Sequence, residues 1–177
     1  MSNIVLTGYR CTGKTSVGRR LAVLLSRPFY DTDEWIRERT GASVRRIVVE
    51  RGWVHFRAVE KTAVTELAAV RGAVIALGGG AVLDPDNRAA VKMQGTVIWL
   101  TADVPTIVAR MERDGASVSD RPPLLGEDRL DETARVLSER APLYRAAADF
   151  TVDTMGKTVD DIVAEIAGLL SGFHPGA

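Results

Sequence analysis

Residues 3–17 read Asn-Ile-Val-Leu-Thr-Gly-Tyr-Arg-Cys-Thr-Gly-Lys-Thr-Ser-Val. Asn3 to Thr7 is a short apolar run that stops at Gly8, and Val17, Leu21, Leu24 and Leu25 then fall on one face of a helix. Strand, glycine turn and helix follow one another, and Gly8 to Thr15 fits G-x-x-x-x-G-K-[ST] at the turn. Backbone N–H groups of such a loop, together with the helix N-terminus, offer partial positive charge to a polyphosphate. Lys14 reaches the outer phosphates, and the Thr15 hydroxyl can ligate Mg²⁺. A plain glycine turn with a solvated lysine is the alternative, and the placement between strand and helix disfavours it. Cys11 is open to two readings: a small residue that fits the loop, or a thiol activated by nearby amides and Lys14.

The same alternation continues outward. Arg27 to Asp31 reads as extended, Glu34 to Arg39, Val44 to Glu50 and Val54 to Val70 as helical, and Ala73 to Leu77 as a buried strand. Asn87 to Met93, Val104 to Arg113, Asp131 to Arg140 and Val159 to Leu170 read as helices, with strands at Thr96 to Thr101 and Phe150 to Asp153. Apolar strands separated by helices imply an α/β fold with a mostly parallel sheet covered on both faces, and ligands then bind beyond the carboxyl ends of the strands. Asp114 to Asp128, rich in Ser, Asp, Pro and Gly, fits no element and reads as a lid or an excursion.

The 177 residues suit one domain, and 23 basic residues balance 23 acidic ones, so no overall positive field draws the chain to nucleic acid or acidic membranes. One cysteine, no signal-peptide pattern and no bilayer-length apolar stretch lead to the expectation of a cytoplasmic protein.

Four further clusters bear on an acceptor. Asp31-Thr32-Asp33 puts two carboxylates where strand gives way to helix, and an extended backbone would point both the same way. One could orient Mg²⁺ while the other meets a hydroxyl; alternatively, Asp33 only caps the helix beginning near Glu34. Arg57 and Glu60 are neighbours on one helix face, either as a surface ion pair or as an arginine aimed by its acid to receive a carboxylate. Gly78-Gly79-Gly80 ends a strand and bares the backbone where a ligand could approach; a tight turn would need fewer glycines. Between Arg110 and Arg145, seven arginines face eight acids, so any role belongs to individual residues. Arg121 sits in the lid segment, suited to a transferring phosphoryl group. Arg140 closes a predicted helix, where serving the helix dipole is the structural alternative.

Taken in order, GYRCTGKT, the DTD pair, FRAVE (56–60), GGG, RPPLL (121–125) and RAPLY (140–144) resemble the shikimate kinase family over residues 3–157. That resemblance implies a three-layer αβα P-loop fold, a five-stranded parallel sheet in the order 2-3-1-4-5, and a single kinase domain over 1–177. Its lid would lie at about 114–128 and its helical substrate-binding region at about 33–61. It further implies transfer of phosphate from ATP, with Mg²⁺, to the 3-hydroxyl of shikimate, giving shikimate 3-phosphate and ADP on the route to chorismate and the aromatic amino acids. By similarity, Lys14 and the amides of Cys11, Thr12, Gly13, Thr15 and Ser16 hold phosphates, Thr15 binds Mg²⁺ and Asp31 supports its water shell. Asp33 meets the acceptor hydroxyls as base, Arg57 and Arg140 clamp the carboxylate, and Gly78, Gly79 and Gly80 line the substrate, with the Gly79 amide in contact. Arg121 closes over the β- and γ-phosphates, and Lys157 lies beside adenine. The family pattern differs in that Cys11 stands where glycine is usual and Pro123 is added to the lid motif. A gluconate-type kinase and a nucleotide-dependent binding module without kinase activity are the rival readings, and a monomer is the default expectation.

Overall fold

The computed structural model describes residues 1–114 and 129–172. Its elements in chain order are β1 (Asn3–Thr7), α1 (Lys14–Leu25), β2 (Phe29–Asp31), α2 (Thr32–Thr40), α3 (Val44–Ala69) and β3 (Val74–Ala76). After a 3₁₀ turn at Ala81–Leu83 come α4 (Pro85–Gln94), β4 (Gly95–Thr101), α5 (Val104–Arg113), α6 (Arg129–Ala147), β5 (Phe150–Asp153) and α7 (Val159–Gly172). All strand pairings are parallel, and the sheet runs β2-β3-β1-β4-β5, as the resemblance implied. Ile4 of β1 stands opposite Val74 of β3 and Thr96 of β4, which fixes the central register.

Strand alternation divides the core. Ile4 and Leu6 pack with Ile98, Leu100 and Val152 under Val17 and Leu21 of α1 and Ile162 and Ile166 of α7. Val5 points the other way and joins Ile75 and Val97 beneath Val64 and Leu67 of α3 and Val91 of α4. Each such side chain, fully buried, contributes about 1.5–3 kcal/mol. Buried Asn3 stitches the layers together: its Nδ2 donates to the carbonyl of Ala68 at 3.0 Å, and its Oδ1 accepts from the amide of Ala73 at 3.0 Å.

The helices expected at 44–50 and 54–70 are the two arms of α3, parted at Gly52, whose φ 80° and ψ 168° are not helical, so the break sits where the periodicity lapses. Two expectations need correction. Leu24 is 53% exposed, and Gly18 and Ala22 complete the buried face of α1 in its place. Finally, α6 runs to Ala147 rather than ending at Arg140, passing through Pro142. A proline inside a helix costs about 3 kcal/mol, and burial of Tyr144 and Ala147 against Val82 and Trp99 offsets it.

The strand next to β1 on one side is β3 and on the other is β4. The connection after β1 runs to β2 on the β3 side and the connection after β3 crosses to β4 on the other, so the two part between these neighbouring strands. A crevice opens there at the carboxyl ends of the strands. The glycine loop after β1 and the three glycines after β3 both face it.

Candidate active site

The loop after β1 is built on backbone that side chains would obstruct. Gly8 has φ 143°, and a Cβ there would run into the carbonyl of Leu100. Gly13 has φ 94° and precedes α1 with no side-chain cap, so the first N–H groups of a 12-residue helix are left to the loop's concavity. Lys14 Nζ donates to the Tyr9 carbonyl at 2.7 Å, and Thr12 Oγ1 donates to the same oxygen at 2.8 Å, folding the loop around itself. Cys11 is left-handed at φ 59°, which explains why glycine suits this place, and its side chain packs against the cluster of Tyr9, Ile107 and Met111.

Outside the motif, Arg110 anchors this loop. Its Nη1 donates to the Cys11 carbonyl at 3.3 Å and to Thr154 Oγ1 at 2.9 Å, and its Nη2 donates to the Thr154 carbonyl at 2.9 Å. By sequence alone Arg110 is one arginine among seven; what sets it apart is the buried polar Thr154 just past β5.

Asp31 serves two neighbours at once. One carboxylate oxygen caps α2, accepting from the amides of Asp33 at 2.9 Å and Glu34 at 3.4 Å, while the other accepts from the Thr15 hydroxyl at 2.8 Å. The cap is therefore Asp31 and not Asp33, because the helix begins at Thr32 rather than Glu34. Asp33 stands on the first helical turn, so strand alternation does not set its direction. The hydroxyl and carboxylate pair of Thr15 and Asp31 consists of hard oxygen donors, a set that suits Mg²⁺ retaining most of its waters. Among the described residues no group of three or more His, Cys, Asp or Glu gathers as a metal cage.

Two cavities adjoin. One of about 300 Å³ is lined by the glycine loop, Lys14, Thr15, Asp31 and Glu34. The other, about 60 Å³, is lined by Arg57, Glu60, the three glycines and Arg140, with Trp53 and Phe56 as apolar walls. Glu60 is only 2% exposed, so its pair with Arg57, Nη1 to Oε2 at 2.5 Å, is not the exposed surface contact. Arg57 is also 5.3 Å from the ring centres of both Trp53 and Phe56. Across the cavity, Arg140 Nη1 donates to the Gly79 carbonyl at 3.2 Å and the buried Tyr144 hydroxyl donates to the same oxygen. Arg140 lies within α6, so the helix-end explanation for it falls away. Gly78 donates its amide to Thr32 Oγ1 at 2.7 Å, holding the glycine turn against α2.

The glycines clear space for particular groups. A Cβ on Gly78 would sit 2.9 Å from Asp33 Oδ1, and one on Gly80 would sit 2.5 Å from Arg57 Nη2. Gly80→Ala is expected to push the flexible guanidinium aside and raise KM for a carboxylate acceptor roughly tenfold, one charge-assisted hydrogen bond's worth, with Tm shifted little. Steady-state kinetics beside a thermal melt check it; an unchanged KM contradicts the geometry.

Burial holds the Glu60 carboxyl above its ordinary range, and the charges of Arg57 and Arg140 offset this only in part. A carboxyl raised in the folded state binds its proton more tightly there than in the unfolded chain. Its contribution to stability is then complete below the ordinary range and fades as pH climbs through the raised value. Glu60→Gln removes this titration, so the variant is expected to gain on the parent protein as pH rises. Urea melts of both proteins from about pH 4 to about pH 8 measure the difference, and a flat one refutes the assignment.

Residues 10–171 match the family model for shikimate kinase. The chain belongs to the shikimate kinase family. The shikimate kinase of Syntrophus aciditrophicus is 45% identical over 172 residues, covering 93% of this chain and 88% of that one. The solved structure of the shikimate kinase from Acinetobacter baumannii in complex with shikimate superposes with a TM-score of 0.91 at 36% identity, covering 97% and 94% of the two chains. A gluconokinase from Sinorhizobium meliloti reaches a TM-score of 0.64 at 19% identity over 96% and 92%, a likeness of fold alone. The chain is thus a phosphotransferase with the P-loop fold of the shikimate kinases.

Of the residues read by similarity to shikimate kinases, Asp33, Arg57, Gly78, Gly79, Gly80 and Arg140 line one cavity, and Cys11, Gly13, Lys14, Thr15, Ser16 and Asp31 line the other. Thr12 is buried beneath the loop. Lys157 follows β5 but lines neither cavity; its Nζ donates to Glu165 Oε2 of α7 at 2.7 Å. Arg121 and the lid segment from 115 to 128 lie outside the described residues.

Proposed function

We propose that the protein phosphorylates the 3-hydroxyl of shikimate at the expense of ATP. The observation that carries this reading is the position of Asp33, which lines both cavities at once and so stands where a phosphate donor and an alcohol acceptor would meet. MgATP, when bound, supplies the terminal phosphoryl group and the charge neutralisation that metal provides.

The residues divide the remaining work. Backbone amides from Cys11 to Ser16 and the Lys14 ammonium would hold phosphate oxygens, and Thr15 and Asp31 would hold Mg²⁺, which supplies charge neutralisation. Arg57, aimed by Glu60, and Arg140, braced on Gly79, receive the acceptor's carboxylate from two sides. With that end fixed, the hydroxyl lies near Asp33, which accepts its proton as the oxygen attacks. Trp53, Phe56 and Val44 give the acceptor side apolar walls against which a ring can pack.

We read the chain as a single cytoplasmic domain that works as a monomer; among its described residues no helix is long and apolar enough to cross a membrane. ADP release followed in the presence of shikimate, of gluconate and of neither tests the reaction. Strong stimulation by shikimate alone is expected. Equal stimulation by gluconate favours the gluconate-type kinase, and slow release indifferent to both favours the binding module.

A further inference from the structure

Arg10 occupies a position that the motif leaves variable, and nothing in the loop's phosphate chemistry requires a cation there. Among the described residues only Arg10, Asp33 and Val44 line both cavities, so its side chain stands at their seam together with the carboxylate that meets the hydroxyl. The side chain is 14% exposed, and its surroundings satisfy it poorly. Nη2 lies 3.7 Å from an oxygen of the buried Glu132, too far for a hydrogen bond, and its Nε is buried without a partner among the described residues. The guanidinium carbon lies 5.5 Å from the Tyr9 ring centre. Removing a charge from water is costly unless it is paired and hydrogen-bonded. A guanidinium held loosely by one acid and one ring, beside two cavities, retains donors for an anion that arrives there.

We propose that Arg10 is a charge-stabilising residue of the phosphoryl transfer, kept at the seam by Glu132 and Tyr9. This rests on the functional reading above. Arg57 and Arg140 face the acceptor's carboxylate and Lys14 faces the donor's phosphates, whereas Arg10 lies between them on the path of the migrating group. Charge on the equatorial oxygens of that group meets the guanidinium both in flight and on the newly formed phosphate ester. Glu132 lies near the start of α6, so the contact also ties the loop to the helix that carries Arg140.

The test compares Arg10→Met and Arg10→Lys with the unmodified protein, measuring kcat and KM for both substrates alongside Tm. Arg10→Met is expected to lower kcat roughly tenfold or more, the equivalent of one charge-assisted hydrogen bond, with KM for shikimate changed less than about threefold. Arg10→Lys is expected to recover part of the lost kcat by restoring the charge. A role in packing alone predicts the opposite: lysine no better than methionine, and activity falling in step with Tm. That result, or full turnover by Arg10→Met, overturns the inference while leaving the functional reading intact. Unmodified protein that consumes no ATP with shikimate overturns both.

Discussion

Asp33→Asn is expected to lower kcat by about 10²–10³-fold while KM for shikimate moves by less than about threefold. Asparagine keeps the size of the side chain and can still accept a hydrogen bond, but it cannot take the hydroxyl's proton. The carboxylate clamp at the other end of the acceptor is untouched, so binding should persist. The fold should persist as well: Asp31, not Asp33, caps α2, and removing a charge from its first turn costs about 0.3–1 kcal/mol at most. Initial rates over both substrates, with a thermal melt to confirm folding, make the comparison. A large rise in KM at unchanged kcat would reassign Asp33 to ground-state binding.

Arg57→Ala is expected to do the reverse, raising KM for shikimate by about 10²-fold or more with a smaller change in kcat. Two effects overlap in this variant and can be separated. The acceptor loses one fork of its clamp, and Glu60 loses the cation that compensates its burial. Breaking a buried pair typically costs about 3–5 kcal/mol, and the cost here should fall at or below the lower end because the Arg57 side chain is 30% exposed. Adding Glu60→Gln to Arg57→Ala should return most of that stability by removing the stranded carboxylate, yet leave KM high. If the double variant recovers KM too, Arg57 acts by holding Glu60 in place and not by meeting the substrate.

Legibility in the sequence followed the range of each interaction. The glycine loop could be read because a strand, φ-demanding glycines and a helix lie in consecutive residues, and the parallel sheet because its strands are apolar on both faces. The pairing of Arg57 with Glu60 was visible from helical spacing, but its meaning depended on burial, and Glu60 is enclosed by glycines 18 and 20 positions further on and by Arg140. Helix ends were less secure. Asp31 and Asp33 are both good caps by composition, and what decides between them is that α2 starts at Thr32, so that the amides of Asp33 and Glu34 turn to the Asp31 carboxylate. A proline inside a helix is unfavourable, and the partners that carry α6 past Pro142, Gly79 and Trp99 against Tyr144, lie far from it along the chain. Arg110 and Arg10 escaped notice for the same reason, since the partners that give them meaning, Thr154 and Glu132, lie far along the chain.

The roles given to Arg57, Arg140 and Asp33 all require one direction of the bound acceptor. A crystal structure of the protein with shikimate and an unreactive ATP analogue is predicted to show the ring carboxylate between Arg57 and Arg140, with the 3-hydroxyl about 3 Å from an Asp33 oxygen and turned toward the terminal phosphate. A carboxylate lying away from both guanidinium groups, or a 3-hydroxyl facing away from Asp33, would contradict those roles.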